Sequence, residues 1–403
     1  MNDLGLLRER GFALLLAART VSVIGSSFAP VALAFGVLSL PGADATTLSV
    51  VLAAEAVPMV VFMLIGGVIA DRLPRNRVML AADLLSAAAF TSLAVMLLVH
   101  WTPLPALVIA AALSGIAVAI MFPALTGIIP DVVPSERLQT ANALLGLGAN
   151  AGRVVGLVLS GAVVALVGSG WALVISGAMF AVGAACVAGL RLRPHGRSAG
   201  PGHSVPADLR DGWLEFRSRQ WLWVVVAQFS VLVMAMQAAH GVLGPLMAKQ
   251  SLGGAPAWSV VLAGEAVGMI GGVVLAMRLR PRRPILLGTL LTLPTALPYL
   301  LLGVGAPLWT VVAGAAVMGV CMDCFGVLWQ TTMQREIPTE SLSRVSSYDA
   351  LGSLMFGPIG LLVAGPVAIV IGPAPALLGC AAIVVLCGLA ALLSPGVRGL
   401  TAR

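Results

Sequence analysis

Apolar runs of about twenty residues or more, separated by short polar stretches, follow one another along the whole 403-residue chain. A run of about 20 residues, rising 1.5 Å per residue as a helix, crosses the hydrocarbon core of a bilayer. In that medium every backbone N–H and C=O must be satisfied within the segment or around a closed barrel, and the short alternating segments of a barrel do not occur here. The pattern predicts twelve spans. The first five lie near 11–40, 46–70, a third ending at Val99, 104–129, and a fifth after the turn PDVVPSERLQ that begins at Pro130. The sixth runs over 171–190, and six more fall near 221–248, 257–277, 284–303, 308–332, 342–370 and 374–394. The longest polar segment, 191–220, is rich in Arg, Pro, Gly and Ser and has no apolar period. It reads as a cytoplasmic linker between a six-helix half at 1–190 and another at 221–403, with a short interfacial helix over Asp211–Arg219.

Composition agrees, since 59% of residues are hydrophobic and 10% charged, which no soluble domain of this length shows. The net charge of +7 does not point to nucleic acid, because its distribution is one-sided. With a cytoplasmic amino terminus, 20 of the 23 Lys and Arg fall on that side, Arg19 and Arg153 lie inside spans, and only Lys249 lies beyond. This asymmetry sets the orientation, with both termini cytoplasmic in a bacterial plasma membrane. No cleavable signal is expected, since Leu4–Arg10 lacks a short apolar core and a small-residue cleavage site. The eight tryptophans fall at or near predicted span ends, Trp101, Trp171, Trp258 and Trp309 outside and Trp213, Trp221, Trp223 and Trp329 inside, as in an aromatic belt. All five cysteines sit in apolar runs and read as packing residues, with no metal or cofactor implied.

The halves repeat one another. VLAAEAVPMV from Val51 matches VLAGEAVGMI from Val261, an offset of 210 that equates Glu55 with Glu265. PSERL from Pro134 matches PTESL from Pro338, an offset of 204, and the match continues through GLVLSGAVVALVG and GLLVAGPVAIVIG. Six helices duplicated in one orientation give two bundles related about an axis along the membrane normal.

Between spans two and three stands GGVIADRLPRNR, Gly66–Arg77, a charged loop whose acid and three arginines cannot sit in hydrocarbon. Its Gly67, Asp71, Arg72, Arg75 and Arg77, with Ile69 in the aliphatic place and Pro74 where glycine is usual, resemble the signature loop of the major facilitator superfamily. The corresponding loop of the second half, Arg278–Pro284, keeps arginines and has no acid. ADRLPRNR, FPALTGIIPDVVPSERLQTANAL and SYDALGSLMFGPIGLLVAGP resemble exporters of the macrolide-efflux and enterobactin-exporter type. Span five, with Gly148, Gly152, Gly156 and Gly161, resembles an antiporter signature in which Leu157 stands for proline and Ser160 for glycine. The resemblance implies an all-α integral membrane protein of two pseudo-symmetric six-helix bundles, with a gating role for the loop. Asp71 would latch the inner side against the amino end of span eleven at Pro338 and Thr339.

Charge at a helix centre in a bilayer costs on the order of 2.5–3.5 kcal/mol, so interior charges need a reason. The candidates for proton coupling or a substrate cavity are Asp323, Glu55, Asp349, Glu265, Arg19 and Arg153, with Asp83 near the inner end of span three and His240 as a relay candidate in span seven. Four deep acids against two deep bases leave carboxylates available to take up and release protons, unless the arginines simply fasten helices together. The expected protein is a monomeric, proton-coupled exporter of a small amphipathic compound, with the lipid bilayer as its surroundings. An importer of a sugar or organic acid is the alternative. A membrane enzyme would need clustered groups or a zincin motif, and a receptor would need a sizeable soluble module. The sequence offers neither.

Overall fold

The computed structural model describes residues 3–134, 137–190 and 213–401, and every regular element among them is helical. Twelve helices among the described residues are long and apolar enough to cross a membrane. The first six are α1 (Arg10–Leu38), α2 (Ala45–Arg72), α3 (Arg75–Leu98), α4 (Leu104–Val132), α5 (Leu138–Val167) and α6 (Ser169–Ala188). The second six are α7 (Gln220–Leu252), α8 (Ala255–Arg278), α9 (Pro284–Gly303), α10 (Leu308–Glu336), α11 (Thr339–Leu354, then Gly357–Ile371) and α12 (Pro373–Leu392). Two compact units result. One holds residues 1–197 with 248–263, and the other 198–247 with 264–403.

The duplication is visible element by element. α4 and α10 are both 29 residues long and start 204 positions apart, each after a proline, Pro103 and Pro307, held in an extended conformation. α6 and α12 are both 20 residues long at the same offset. Each is entered through a glycine at positive φ, Gly168 at 95° and Gly372 at 88°, a conformation that side chains with a Cβ avoid. Close approach between helices is also repeated. A Cβ at Gly115 would strike the carbonyl group of Glu55, and one at Gly319 the carbonyl group of Glu265, so α4 crosses α2, and α10 crosses α8, on a bare glycine. Without a hydrophobic force between helices in lipid, such small-residue contacts supply the packing.

The second unit is the less regular. α7 passes through a π-helical turn at Ala238–Leu243, and its last turn, Ala248–Leu252, which is grouped with the first unit, is π-helical too. α9 tightens to a 3₁₀ turn at Leu293–Ala296 around Pro294, and α11 breaks at Met355 and Phe356 ahead of Gly357 and Pro358. Proline removes a helical N–H and pushes its predecessor from the helical region, which accounts for the last two.

Three expectations change. The charged Gly66–Arg77 segment is mostly helix, with only Leu73 and Pro74 between α2 and α3, because an extended Pro74 starts α3 at once. Of the tryptophans, Trp221 and Trp329 are 6% exposed and Trp258 1%, so these three are core residues and not belt residues, while Trp101, Trp171, Trp213, Trp223 and Trp309 are exposed. Residues 191–212 lie outside the description. The turn of helix at 213–218 is not simply interfacial, because Phe216 is buried and the Trp213 ring meets Tyr348 at 5.6 Å.

Candidate functional site

A cavity of about 350 Å³ opens within the second unit, lined from three helices. α7 contributes Val225, Val226 and Phe229, one helical face at i, i+1 and i+4. α10 contributes Met322, Phe325, Gly326, Trp329 and Gln330 by the same spacing, and α11 adds Asp349, Ala350, Ser353 and Leu354. The rings of Phe229 and Phe325 stack at 5.3 Å and 14°, and Phe325 and Trp329 at 6.0 Å and 18°, making one continuous aromatic wall. Trp221 closes its end edge-on to Trp329 at 5.6 Å. The indole Nε1–H of Trp329 donates to Asp349 Oδ2 at 3.1 Å, and Ser353 Oγ lies 3.4 Å from the other carboxyl oxygen. One carboxyl group is thereby fixed at the edge of an aromatic face, an arrangement suited to a ligand that is apolar at one end and cationic at the other.

The other interior charges are distributed around this cavity's unit and the first unit. Glu265 on α8 meets His240 on α7, Oε2 to Nε2 at 3.5 Å, with both side chains 18% exposed. Glu55, its repeat counterpart, is half-buried and has the Ser114 hydroxyl as a partner. Asp323 is half-buried on α10 and does not line the cavity. Arg19 feels the charges of both Arg153 and Asp83. Asp83, 1% exposed, accepts a hydrogen bond from Ser22 at 3.2 Å. Among the motif residues, Arg75 is half-buried and Arg77 exposed at the start of α3. The side chains of Asp71 and Thr339, on which the latch expectation rests, lie outside the described residues, as do the surroundings of Gly67 and Arg72.

The match to the Major Facilitator Superfamily model runs over residues 11–359, most of the chain. The chain belongs to the major facilitator superfamily. This facilitator is 26% identical to macrolide efflux protein A of Streptococcus pyogenes over 369 residues, 87% of its own length and 88% of the relative's. It is also 26% identical to the multidrug efflux pump Tap of Mycobacterium tuberculosis over 400 residues, covering 96% and 94%. In fold it is similar to the nucleoside transporter NupG, with a TM-score of 0.72 at 15% identity over 98% and 99% of the two chains. It is equally similar to a bacterial homologue of the lysosomal transporter Spinster in an inward-facing, unoccupied conformation, with a TM-score of 0.72, 16% identity and 96% of each chain covered. At those identities the two structures speak for the fold alone. The facilitator is therefore a multi-pass membrane transporter.

Of the residues that the sequence singles out, the structure brings Asp349 to the cavity and Glu265 to His240. The sequence does not reveal the aromatic wall, and its place near a span end makes Trp329 read as a membrane-interface residue. A signal existed in Phe325 and Trp329 standing four apart on a span with Asp323 between its cysteines, but Phe229 lies on another helix and could not be aligned with them from sequence.

Proposed function

We propose that this transporter exports small amphipathic compounds carrying a basic nitrogen, by alternating access coupled to protons. The observation that carries the reading is the carboxyl group of Asp349 held by Trp329 at the end of the Phe229–Phe325–Trp329 wall. A cation over or beside aromatic faces gains about 0.5–2 kcal/mol, and the cavity's 350 Å³ is within the usual size for a small-molecule site. The efflux names of two relatives over nearly the whole chain favour export. With Asp349 assigned to the cation, the membrane-interior acids Asp323, Glu55 and Glu265 offer proton sites, and the one-sided arginines support cytoplasmic termini in a bacterial plasma membrane. The facilitator is taken to work as a monomer.

Uptake of a small organic cation, ethidium, and of a neutral amphiphile of similar size into inverted vesicles tests this reading. Asp349→Asn is expected to reduce ethidium transport at least tenfold and neutral transport by less than threefold. Equal loss of both, or no loss of either, contradicts the assignment of Asp349. Import instead of export, at the same pH gradient, would favour the alternative of sugar or organic-acid uptake.

A further inference from the structure

The contact between His240 and Glu265 is not part of the cavity and has a different character. It lies where α7 leaves α-helical geometry for the π-helical turn Ala238–Leu243, so His240 sits on the widened turn itself. Such turns are rare, and they concentrate at functional sites because one residue's shift along the helix re-registers the hydrogen bonds at small cost. Opposite it, Glu265 is set by the close crossing of α10 on α8 at Gly319. Next to the pair, Tyr299 of α9 is 1% exposed, turns its ring edge-on to the imidazole at 5.5 Å and directs its hydroxyl to Met318 Sδ at 3.5 Å. Among the described residues, Tyr299 and, beyond it, Cys380 of α12 are titratable groups close to the pair. The later segment of α11, Gly357–Ile371, packs against the π turn and carries no titratable side chain.

The first half has no equivalent. By the 210 offset, position 30 stands where His240 stands and is Pro30, and by the 204 offset Ser114 stands where Met318 stands. Glu55 consequently has a hydroxyl beside it, where Glu265 has an imidazole. A hydroxyl cannot hold an added proton near neutral pH, whereas an imidazole beside a carboxylate can. Both halves keep the acid and the glycine crossing, and among the described residues an imidazole stands beside Glu265 alone of the two acids.

Resting on the proton-coupled reading above, we propose that His240 and Glu265 together form the transporter's proton-exchange site, with the π turn of α7 as the element that moves. Neutral imidazole and carboxylate together carry one negative charge. A proton taken from water onto Nε2 gives an imidazolium–carboxylate ion pair of zero net charge, which the low-dielectric interior tolerates better. Returning the proton to water on the other side restores the starting charge. At 3.5 Å the pair is at the limit of hydrogen-bond reach. The protonated state is expected to draw the two side chains together, and a shift of the π turn to part them.

The test uses the full chain in liposomes with ethidium as the probe, comparing wild type, His240→Gln, Glu265→Gln and the exposed-turn control His100→Gln. Export driven by a pH gradient and ethidium counterflow at equal pH are measured on the same preparations. The expected result is a loss of at least tenfold in gradient-driven export for both site variants, with counterflow within threefold of wild type and the control unchanged. Gradient-driven export within twofold of wild type in either site variant overturns the proposal. So does an equal fall of export and counterflow, the mark of a structural role. A second readout needs no substrate, the infrared difference spectrum on a pH jump. A carboxyl band removed by Glu265→Gln must change position in His240→Gln, and a band that stays in place shows that the two groups do not share a proton. A wild-type chain with the coupled band and no ethidium transport leaves this site standing and sinks the cation-export reading instead.

Discussion

Replacing Gly319 by alanine is the most direct test of how the two units are built. An alanine Cβ at that position would lie 2.8 Å from the amide nitrogen of Met269 and 3.0 Å from the carbonyl carbon of Glu265, with the carbonyl oxygen nearer still. Ordinary contact requires about 3.5 Å or more, so the Met269 nitrogen alone demands that α8 and α10 separate by about 0.7 Å at their crossing, and the Glu265 carbonyl oxygen demands more. Both sides of the clash are backbone, so no side chain can rotate away to relieve it. Overpacking of this kind costs about 1–3 kcal/mol, against a gain of up to about 1 kcal/mol from replacing glycine inside a helix. Gly379→Ala supplies the reference, because nothing stands within 4 Å of its Cβ and only the helical gain remains. Reversible unfolding in mixed detergent should place Gly319→Ala roughly 1–3 kcal/mol below Gly379→Ala, with Gly115→Ala similarly lowered. Function should divide the two crossing variants, since the Gly319 shift displaces Glu265 from His240 and the Gly115 shift acts at Glu55. If Gly319→Ala and Gly379→Ala unfold within about 0.5 kcal/mol of each other, the helices do not cross backbone to backbone and the argument fails.

Trp329→Phe keeps the stacked wall and removes the N–H that holds Asp349, a hydrogen bond worth about 0.5–1.5 kcal/mol, so ethidium affinity measured by fluorescence titration should fall about 2- to 12-fold. Asp44 caps α2, accepting from the Thr47 amide at 2.8 Å and the Thr47 hydroxyl at 2.9 Å. Asp44→Ala should therefore lower unfolding stability by about 0.5–2 kcal/mol. Those two bonds, the amide first, hold the Asp44 carboxyl below its ordinary range. Its contribution is accordingly full above about pH 4 and is lost as pH falls through the lowered folded value, which a comparison of wild type and variant at pH 7 and pH 3 reads directly. Asp71→Asn should insert and express normally yet lose most transport, and wild-type rates in vesicles would remove the latch role.

The twelve spans, their order and the duplication follow from the sequence because a bilayer leaves the chain few choices. A backbone in hydrocarbon has to be helical, and runs of sufficient length identify themselves. The repeat was legible for the same reason, with Pro134 and Pro338, and Glu55 and Glu265, standing at constant offsets. Interior acids were legible too, since each is costly enough in lipid to stand out. What each acid faces was decided only in three dimensions. The 3.6-residue period says which side of α10 carries Phe325 and Trp329, but not that Phe229 and Asp349 on other helices close the same space. Nor does sequence show that His240 comes to Glu265, because the π turn that carries it has no residue signature of its own. In a chain where apolar residues cover both the lipid face and the core, hydrophobicity does not separate inside from outside. Trp329 and Trp309 read alike in sequence, and packing alone makes one a buried partner of Asp349 and leaves the other 71% exposed.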